Sequence, residues 1–297
     1  MNISVLGYLI SNKKKGVEMK TVILLLLCLA LAASAATRVI EGSGSSEPVS
    51  TRGTYTVLDM WDPSTPGSTY GIALKDDVAN SLWLCCWGDG YVYEYDVSTS
   101  SATGNSFEIT NSIDADGMGF CEYTSGNQFF IGDWTFSNIG VFDDSGVWVK
   151  ALGGPASFDN VYPIAAGHDM LYADRHDEIA WGSYTGIEAS VTWTVLTSPM
   201  SACYGMAVYG DYVFACCGVE GEDNIFIFHI NADGSLDLTP VWSCEFAEIA
   251  GGPNGGIDYD GTNLWVYPQN DMVYKLNIDW DPQSLENSTW GHIKANF

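Results

Sequence analysis

The sequence predicts an all-β protein, a β-propeller of five blades with four antiparallel strands each. A module of about 46 residues recurs along the chain, and periods of 40–50 residues with several short strands are typical of propeller blades. The strands are rich in Val, Ile, Tyr, Phe and Trp, which pleated sheets prefer. No apolar stripe with the helical period follows residue 35, so almost no helix is expected. The modules start near Gly71, Gly119, Pro163, Gly205 and Gly255.

Each module supplies its strands in the same order. It opens with a strand of small residues, turns at Gly, Asp or Asn into a bulky strand, and turns again into a third strand. Small residues suit the innermost strand because the inner strands converge on a narrow axis, where large side chains would collide. A fourth strand is expected at Ser106–Thr110, Val191–Leu196 and Leu238–Phe246.

The ring is expected to close near the two ends of the chain. Thr54–Trp61 alternates like a strand, and Ser288–Ala295 offers a second candidate. One of them completes the last blade. If it is the N-terminal segment, the two chain ends pair and leave only short protected edges. A ring of six blades, in which both segments form a degenerate extra blade, is the alternative.

The first 53 residues are interpreted as three segments that precede the propeller. The stretch Lys13–Met19 can be encoded by a ribosome-binding site and a start codon, so residues 1–18 are interpreted as a mis-annotated upstream extension, and the source as bacterial. Residues 19–35 have the basic, apolar and small-residue regions of a signal peptide. Residues 36–53 are interpreted as a flexible linker, and residues 54–297 as one propeller domain. The protein is therefore expected to be secreted to the periplasm, the cell surface or the medium.

The chain is strongly acidic, with 37 Asp and Glu against 11 Lys and Arg and a formal net charge of −26. Such a surface repels nucleic acid and anionic membranes. We therefore expect no nucleic-acid partner, and no membrane insertion of the mature chain. The charge is also consistent with a protein kept soluble outside the cell.

Two adjacent cysteine pairs, Cys85-Cys86 and Cys216-Cys217, occupy matching positions in the first and fourth modules. Neighbours on a strand point to opposite faces, so each pair places one thiol on each face of its blade. Cys85 or Cys86 is a candidate partner for Cys121 in the next blade. Cys203 has three candidate partners in its own module, namely Cys216, Cys217 and Cys244. The alternative is that most of the cysteines are small buried residues packed between blades.

A ligand is expected over the mouth of the central channel, where the loops entering the inner strands meet the loops between second and third strands. Tyrosines stand at three of the five entry positions. Aromatic rings beside carboxylates and amides suit a carbohydrate, a cation-bearing ligand or a protein. The alternative is that these tyrosines only pack between blades. The candidate ligand-binding residues are Tyr70, Asp89, Trp134, Tyr162, Arg175, His176, Tyr204, Asn254 and Asn270.

Catalytic residues are less clearly indicated. His176 lies between Arg175 and Asp177 and is a candidate base near neutral pH. Asp62, Asp116 and Asp159 precede inner strands and are candidate carboxylates. No nucleophile elbow, zinc-protease motif or phosphate-binding loop accompanies them.

Calcium is the one cofactor that the sequence suggests. Asp258 and Asp260 lie in a turn, Asp-Tyr-Asp-Gly, that has some of the spacing of a calcium loop. It lacks the ligand count of an EF-hand, and Asp and Gly are also the residues that β-turns demand. Turn formation is therefore the preferred interpretation, with calcium as the alternative.

The stretch Gly256–Val266, followed by Met272–Leu276, resembles repeats common in bacterial secreted propellers. Val141–Gly146 and Phe228–Leu236 resemble elements of NHL-type and lactonase-like propellers. The resemblance extends over about residues 54–297 at the level of single blades. It implies the architecture and not an activity.

Two enzyme families with five-bladed propellers provide a further comparison. Glutaminyl cyclotransferases of this fold carry a Gln-Gly-Leu run in an inner strand and a Glu soon after, and the inner strands at Tyr70 and Gly255 lack both. Glycosidases of this fold need carboxylates that project into the channel. The sequence therefore favours a binding or interaction module, with a carbohydrate-active hydrolase or lyase as the alternative. A structural component of a surface layer or matrix is a second alternative.

Overall fold

The computed structural model describes residues 53–65, 68–75, 78–123, 125–175, 177–218, 222–247, 254–269 and 271–281. The chain divides into two units, Met1–Val49 and Ser50–Phe297, and every described residue belongs to the second. The expected upstream extension, the signal peptide, nearly all of the linker and the candidate strand at Ser288–Ala295 lie outside the described residues. Among the residues described, no helix has the length and apolar character needed to cross a membrane.

The described residues form five antiparallel sheets of four strands, which is the predicted propeller, and the six-bladed alternative does not apply. Blade 5 is completed by the first strand of the described residues, β1 (Tyr55–Trp61). The other strands follow in chain order. Blade 1 contains β2 (Ser68–Leu74), β3 (Ser81–Trp87), β4 (Tyr91–Asp96) and β5 (Ser101–Glu108). Blade 2 contains β6 (Ala115–Cys121), β7 (Gln128–Asp133), β8 (Asn138–Asp143) and β9 (Trp148–Gly153). Blade 3 contains β10 (Ile164–Gly167), β11 (Met170–Arg175), β12 (Glu178–Ser183) and β13 (Trp193–Thr197). Blade 4 contains β14 (Cys203–Tyr209), β15 (Tyr212–Cys217), β16 (Ile225–His229) and β17 (Trp242–Cys244). Blade 5 contains β18 (Asn254–Tyr259), β19 (Leu264–Pro268) and β20 (Val273–Ile278) in addition to β1.

The ring is closed by the N-terminal strand, as in the first of the two closures expected from the sequence. Strand β1 pairs antiparallel with β20 as the outermost strand of blade 5. Next to this pair, the Asp279 carboxylate accepts hydrogen bonds from Thr54 N and Thr54 Oγ1, each at 2.9 Å. The two ends of the described domain therefore hold one blade together.

The hydrophobic core lies between the blades. Five clusters of buried side chains are present among the described residues, and each cluster takes its members from two neighbouring blades. Cys216 lies in the cluster between blades 4 and 5, and Cys217 in the cluster between blades 3 and 4. The alternation expected for adjacent strand residues is thus confirmed at this pair.

Glycines bring the inner strands into backbone contact around the axis. A Cβ on Gly119 would lie 2.7 Å from Ile164 O in the next blade, and a Cβ on Gly205 would lie 2.9 Å from Gly256 Cα. Across the axis, β14 contacts both β6 and β2. The cavity that remains beside the axis, next to Gly119, has a volume of only about 10 Å³. A cavity of this size does not admit a sugar-sized ligand, so a ligand is expected on a face of the ring.

Four inner strands begin with a β-bulge. We call the face that carries these strand starts, together with the loops between second and third strands, the upper face, and the opposite one the lower face. The bulges fall at Tyr70, at Asp116 with Gly117, at Tyr204 and at Gly255. A bulge leaves one or more residues unpaired and changes their direction. In blade 2 the bulge is longer and places Asp116 at the entry of the inner strand.

Candidate functional site

Three of the predicted ligand-binding residues form a row of aromatic rings on the upper face, which we call the aromatic row. The rings of Trp134 and Tyr162 have centroids 4.8 Å apart at 32°, and those of Tyr162 and Tyr204 are stacked at 5.3 Å and 28°. The row joins blades 2, 3 and 4. Trp134 is 39% exposed, Tyr204 is half-buried and Tyr162 is buried. The ends of the row are therefore the surfaces that a ligand can reach.

The loop that carries Trp134 is fixed by hydrogen bonds on both sides. Trp134 N donates to Asp114 O at 2.7 Å, and Trp134 O accepts a bond from Asn160 Nδ2 at 2.8 Å. The Asp133 carboxylate accepts from Thr135 N at 2.9 Å and from Phe136 N at 3.2 Å. The backbone of this loop is thus held in position before any ligand arrives.

Asp114 connects the aromatic row to a further aromatic side chain, that of Trp87. Its Oδ1 accepts a hydrogen bond from Trp87 Nε1 at 2.7 Å, and its Oδ2 accepts one from Thr135 Oγ1 at 2.8 Å. Trp87 is 41% exposed. It lines a cavity of about 360 Å³ at the upper edge between blades 1 and 2, together with Asp89 and Asp114. Indole rings and carboxylates therefore lie side by side across two blades.

Asp89 has a fixed orientation in this cavity. Its Oδ2 accepts a hydrogen bond from Tyr93 Oη at 2.6 Å, and its Oδ1 accepts one from Tyr91 N at 3.1 Å. Tyr91 is 36% exposed and stacks on Tyr93 with centroids 6.0 Å apart. Asp89 was predicted from the sequence as a ligand-binding residue, whereas Trp87 and Tyr91 were not, because they end and begin strands on either side of the turn.

Three aspartates are buried beneath the upper face. Neither carboxyl oxygen of Asp116 has a hydrogen-bond partner among the described residues, and one oxygen each of Asp133 and Asp174 is in the same position. Burial raises the pKa of Asp116 well above its usual value, and the nearby Asp114 raises it further. Burial likewise raises the pKa of Asp133 and of Asp174. These groups favour the neutral acid, which can donate a hydrogen bond.

The remaining catalytic candidates are placed differently. Arg175 forms an ion pair with Asp159, at 2.7 Å from Nη2 to Oδ2, and donates from Nε to Asn160 Oδ1 at 2.8 Å. This pair fixes the loop that also holds Trp134, so Arg175 and Asp159 are positioning residues here. Asp62 is exposed and accepts a bond from Ser64 N at 2.7 Å in a local turn.

Four predicted ligand-binding residues are not described beyond their backbone, or not at all. His176 and Asn270 lie outside the described residues. The backbones of Tyr70 and Asn254 belong to the starts of β2 and β18 on the upper face, but their side chains are not described.

The candidate calcium residues lie on the lower face, and their carboxylate oxygens accept hydrogen bonds from N–H donors. Asp258 accepts bonds from Leu74 N and from Tyr259 N, each at 2.7 Å. Asp260 Oδ1 accepts from Asn263 N at 2.6 Å, and its Oδ2 accepts from Trp265 Nε1 at 2.9 Å. In the part of the chain that the structure describes, no group of three or more His, Cys, Asp or Glu side chains is arranged to hold a metal ion.

A larger cavity, of about 490 Å³, lies on the lower face at the seam between blades 3 and 4. His168, Asp211, His229 and Asp233 are among the residues that line it. His168 Nε2 lies 2.6 Å from Gly210 O and 3.6 Å from Asp211 Oδ1. This cavity was not predicted from the sequence. The available signal was that the histidines fall on the lower edges of adjacent modules.

Comparison with solved structures supports the fold and leaves the activity open. The glutaminyl cyclase of Myxococcus xanthus is similar with a TM-score of 0.57 and 9% sequence identity, over 77% of this chain and 97% of that chain. Virginiamycin B lyase from Staphylococcus aureus is similar with a TM-score of 0.41 and 15% identity, over 70% of this chain and 66% of that chain. No protein-family profile matches the chain, and no curated protein sequence matches it.

Proposed function

We propose that this propeller is a carbohydrate-binding module whose ligand lies on the upper face. The aromatic row, with the exposed Trp134 at one end and the half-buried Tyr204 at the other, carries this proposal. The apolar face of a sugar ring packs on an aromatic face, while its hydroxyl groups need polar partners at the rim. Asp114 and Asp89 supply such partners beside the exposed Trp87.

Preorganisation supports a binding role. The Trp134 loop is held by bonds from three directions, and the Arg175–Asp159 pair fixes the facing loop. A site that is ordered before binding loses less entropy on association, so a small contact area gives a useful affinity. The same rigidity argues for a ligand that fits the existing surface.

Charge restricts the ligand class. The chain has a net charge of −26, and the upper-face cavity between blades 1 and 2 is lined by two carboxylates. Neutral or cationic ligands are therefore favoured over anionic ones. Since residues 19–35 have the pattern of a signal peptide, we place this binding outside the cytoplasm of a bacterial cell.

Calorimetric titration with a panel of neutral oligosaccharides tests the proposal. For an oligosaccharide that binds, Trp134→Ala is expected to weaken binding at least ten-fold, which is about 1.4 kcal/mol. Tyr209→Ala is the matched control, because Tyr209 is also 39% exposed but lies at the lower end of β14. Equal losses in the two variants, or no binding by any oligosaccharide, would overturn the proposal.

A carbohydrate-active hydrolase or lyase is the second candidate, and Asp116 favours it. A buried carboxyl with a raised pKa and no partner among the described residues is suited to donate a proton to a leaving group. Mass spectrometry of a bound oligosaccharide after long incubation tests this candidate. Cleavage by the wild type that is lost in Asp116→Asn, while binding remains, would support an enzyme. An oligosaccharide that stays intact would contradict the enzyme and leave the binding module as the proposed function.

A further inference from the structure

Cys203 and Cys217 lie directly opposite each other on neighbouring strands of blade 4. Cys203 is the first residue of β14, Cys217 is the last residue of β15, and the two are Cα partners in the antiparallel ladder. Both side chains are buried in the cluster between blades 3 and 4. Opposed residues in such a ladder share one face of the sheet, so the two thiols meet.

The hydrogen bonds next to this pair define its geometry. Gly218 N donates to Ala202 O at 3.1 Å, one position further along both strands. Positions alternate between hydrogen-bonded and non-hydrogen-bonded pairs, which makes Cys203 and Cys217 a non-hydrogen-bonded pair. In such pairs the Cα atoms are about 4.5 Å apart, within the range of about 4.4–6.8 Å that a disulfide spans.

No other two described cysteines are direct partners in a ladder of one blade. Cys216 and Cys244 share a cluster, but both pair with Ile225 on the strand between them. Two strand spacings, about 9–10 Å, are too far for a disulfide. The ladder partners of Cys85, Cys86 and Cys121 are not cysteines; they are Gly71, Val92, Thr69, Tyr91 and Gln128.

We propose that Cys203 and Cys217 are a site of disulfide formation that acts on the presentation of the aromatic row. A thiolate of one cysteine attacks an external disulfide and releases one thiol, and the second cysteine then displaces the other thiol. The two cysteines lose two electrons and two protons, and the external disulfide is reduced to two thiols. Burial raises the pKa of the Cys203 thiol. Exchange in the folded protein is therefore slow, and the bond forms while the chain folds.

The bond would act on the candidate site because of what lies beside it. Tyr204 is the bulge residue directly after Cys203 and ends the aromatic row. A disulfide fixes the start of β14 to the end of β15 and so restricts the bulge that carries this ring. This consequence rests on the proposed function, whereas the disulfide itself does not.

Peptide mapping of the full chain tests the disulfide. The protein is refolded in a buffer of oxidised and reduced glutathione, alkylated without reduction, and cleaved before Asp211, which separates Cys203 from Cys217. The expected result is one linked pair of peptides in which Cys216 carries the alkyl group. Cys216→Ala, a matched change at the neighbouring residue, keeps the link, and Cys217→Ala removes it and leaves Cys203 alkylated.

Two results would overturn the assignment. One is an alkylated Cys203 in the wild-type chain. This result does not depend on whether a variant folds. The other is a link that persists in Cys217→Ala through Cys216. In addition, the oxidised protein is expected to melt about 5–10 °C above the reduced one, because the bond closes a loop of about 15 residues in the unfolded chain. Equal melting temperatures with the link present would contradict the stabilisation expected from the closed loop.

Discussion

Asp116 is buried at the upper end of an inner strand without a hydrogen-bond partner among the described residues. Such a group is costly when ionised and much less so when neutral. Its pKa is raised by burial and by Asp114, so the folded state holds a proton that the unfolded chain releases. Stability from this group is therefore present at low pH and is lost as the pH rises above the unfolded pKa of about 3.9.

Replacing Asp116 with Asn is expected to flatten this pH dependence. For each group of this kind, the free energy of unfolding falls by about 1.4 kcal/mol per pH unit until the pH reaches the folded-state pKa. Urea unfolding of the wild type and of Asp116→Asn, measured from pH 4 to pH 8, checks the slope. Asp62→Asn is the control, because Asp62 is exposed in a turn. Identical slopes for Asp116→Asn and the wild type would contradict the neutral-acid interpretation.

At the residue scale, the place of a side chain could be predicted where its repeat position determines its environment. Tyr162 and Tyr204 were predicted at the upper mouth, and both lie there beside Trp134. The ion pair between Arg175 and Asp159 could not be predicted, because it joins a strand end to a loop of irregular length. The ionisation of a candidate acid depends on burial, which is not visible in the chain.

The inner strands depend on glycine because their backbones touch. Gly119→Ala is expected to destabilise the protein by about 1–3 kcal/mol, since the new methyl group would lie 2.7 Å from Ile164 O, a backbone atom with little freedom to move. Gly153→Ala on the outermost strand of blade 2 is the control, because a Cβ there meets nothing within 4 Å. Denaturant midpoints compare the two variants. If Gly153→Ala costs as much as Gly119→Ala, the close approach at the axis is not the cause.

The closure of blade 5 relies on Asp279. This carboxylate accepts bonds from Thr54 and, at 2.8 Å, from Trp242 Nε1. Partial burial opposes ionisation, but these bonds outweigh it and lower the pKa of Asp279. The stabilisation is therefore present above the unfolded pKa and is lost as the pH falls through the lower folded-state value.

Asp279→Ala is expected to cost about 1–2 kcal/mol through the lost hydrogen bonds, and to open β1 before the other strands. Hydrogen exchange of β1 amides and urea unfolding at neutral pH measure both effects. Asp237→Ala is the control, because Asp237 accepts a bond from Thr239 N in a local turn. Unchanged exchange of β1 in Asp279→Ala would show that strand pairing alone closes the ring.

A comparison of predicted and observed strand boundaries shows which strands could be predicted from the sequence. Inner and middle strands were predicted well, because their buried residues repeat. The outermost strand of blade 1 begins at Ser101, earlier than the predicted Ser106. Nearly all its side chains are exposed, so it has no apolar pattern to detect. The choice between the two closures could not be made from composition, since both segments read as strands.

At the scale of the whole molecule, the propeller could be predicted because five repeats each impose the same strand order. The site could not be predicted in full, because it is assembled from loops of different blades that differ in length. Trp87 of blade 1 meets Asp114 at the start of blade 2 only through the ring. The lower cavity beside His168 and His229 arises in the same way.

Hydrogen exchange with a bound oligosaccharide tests the central claim most directly, because it reports on both faces at once. The oligosaccharide that gives the largest thermal shift is used at a concentration well above its dissociation constant. The account predicts slower exchange at residues 133–136, 158–163 and 202–205, the segments that contain the three residues of the aromatic row. Protection at residues 167–170 and 229–234 instead would place the ligand in the lower cavity and contradict the account.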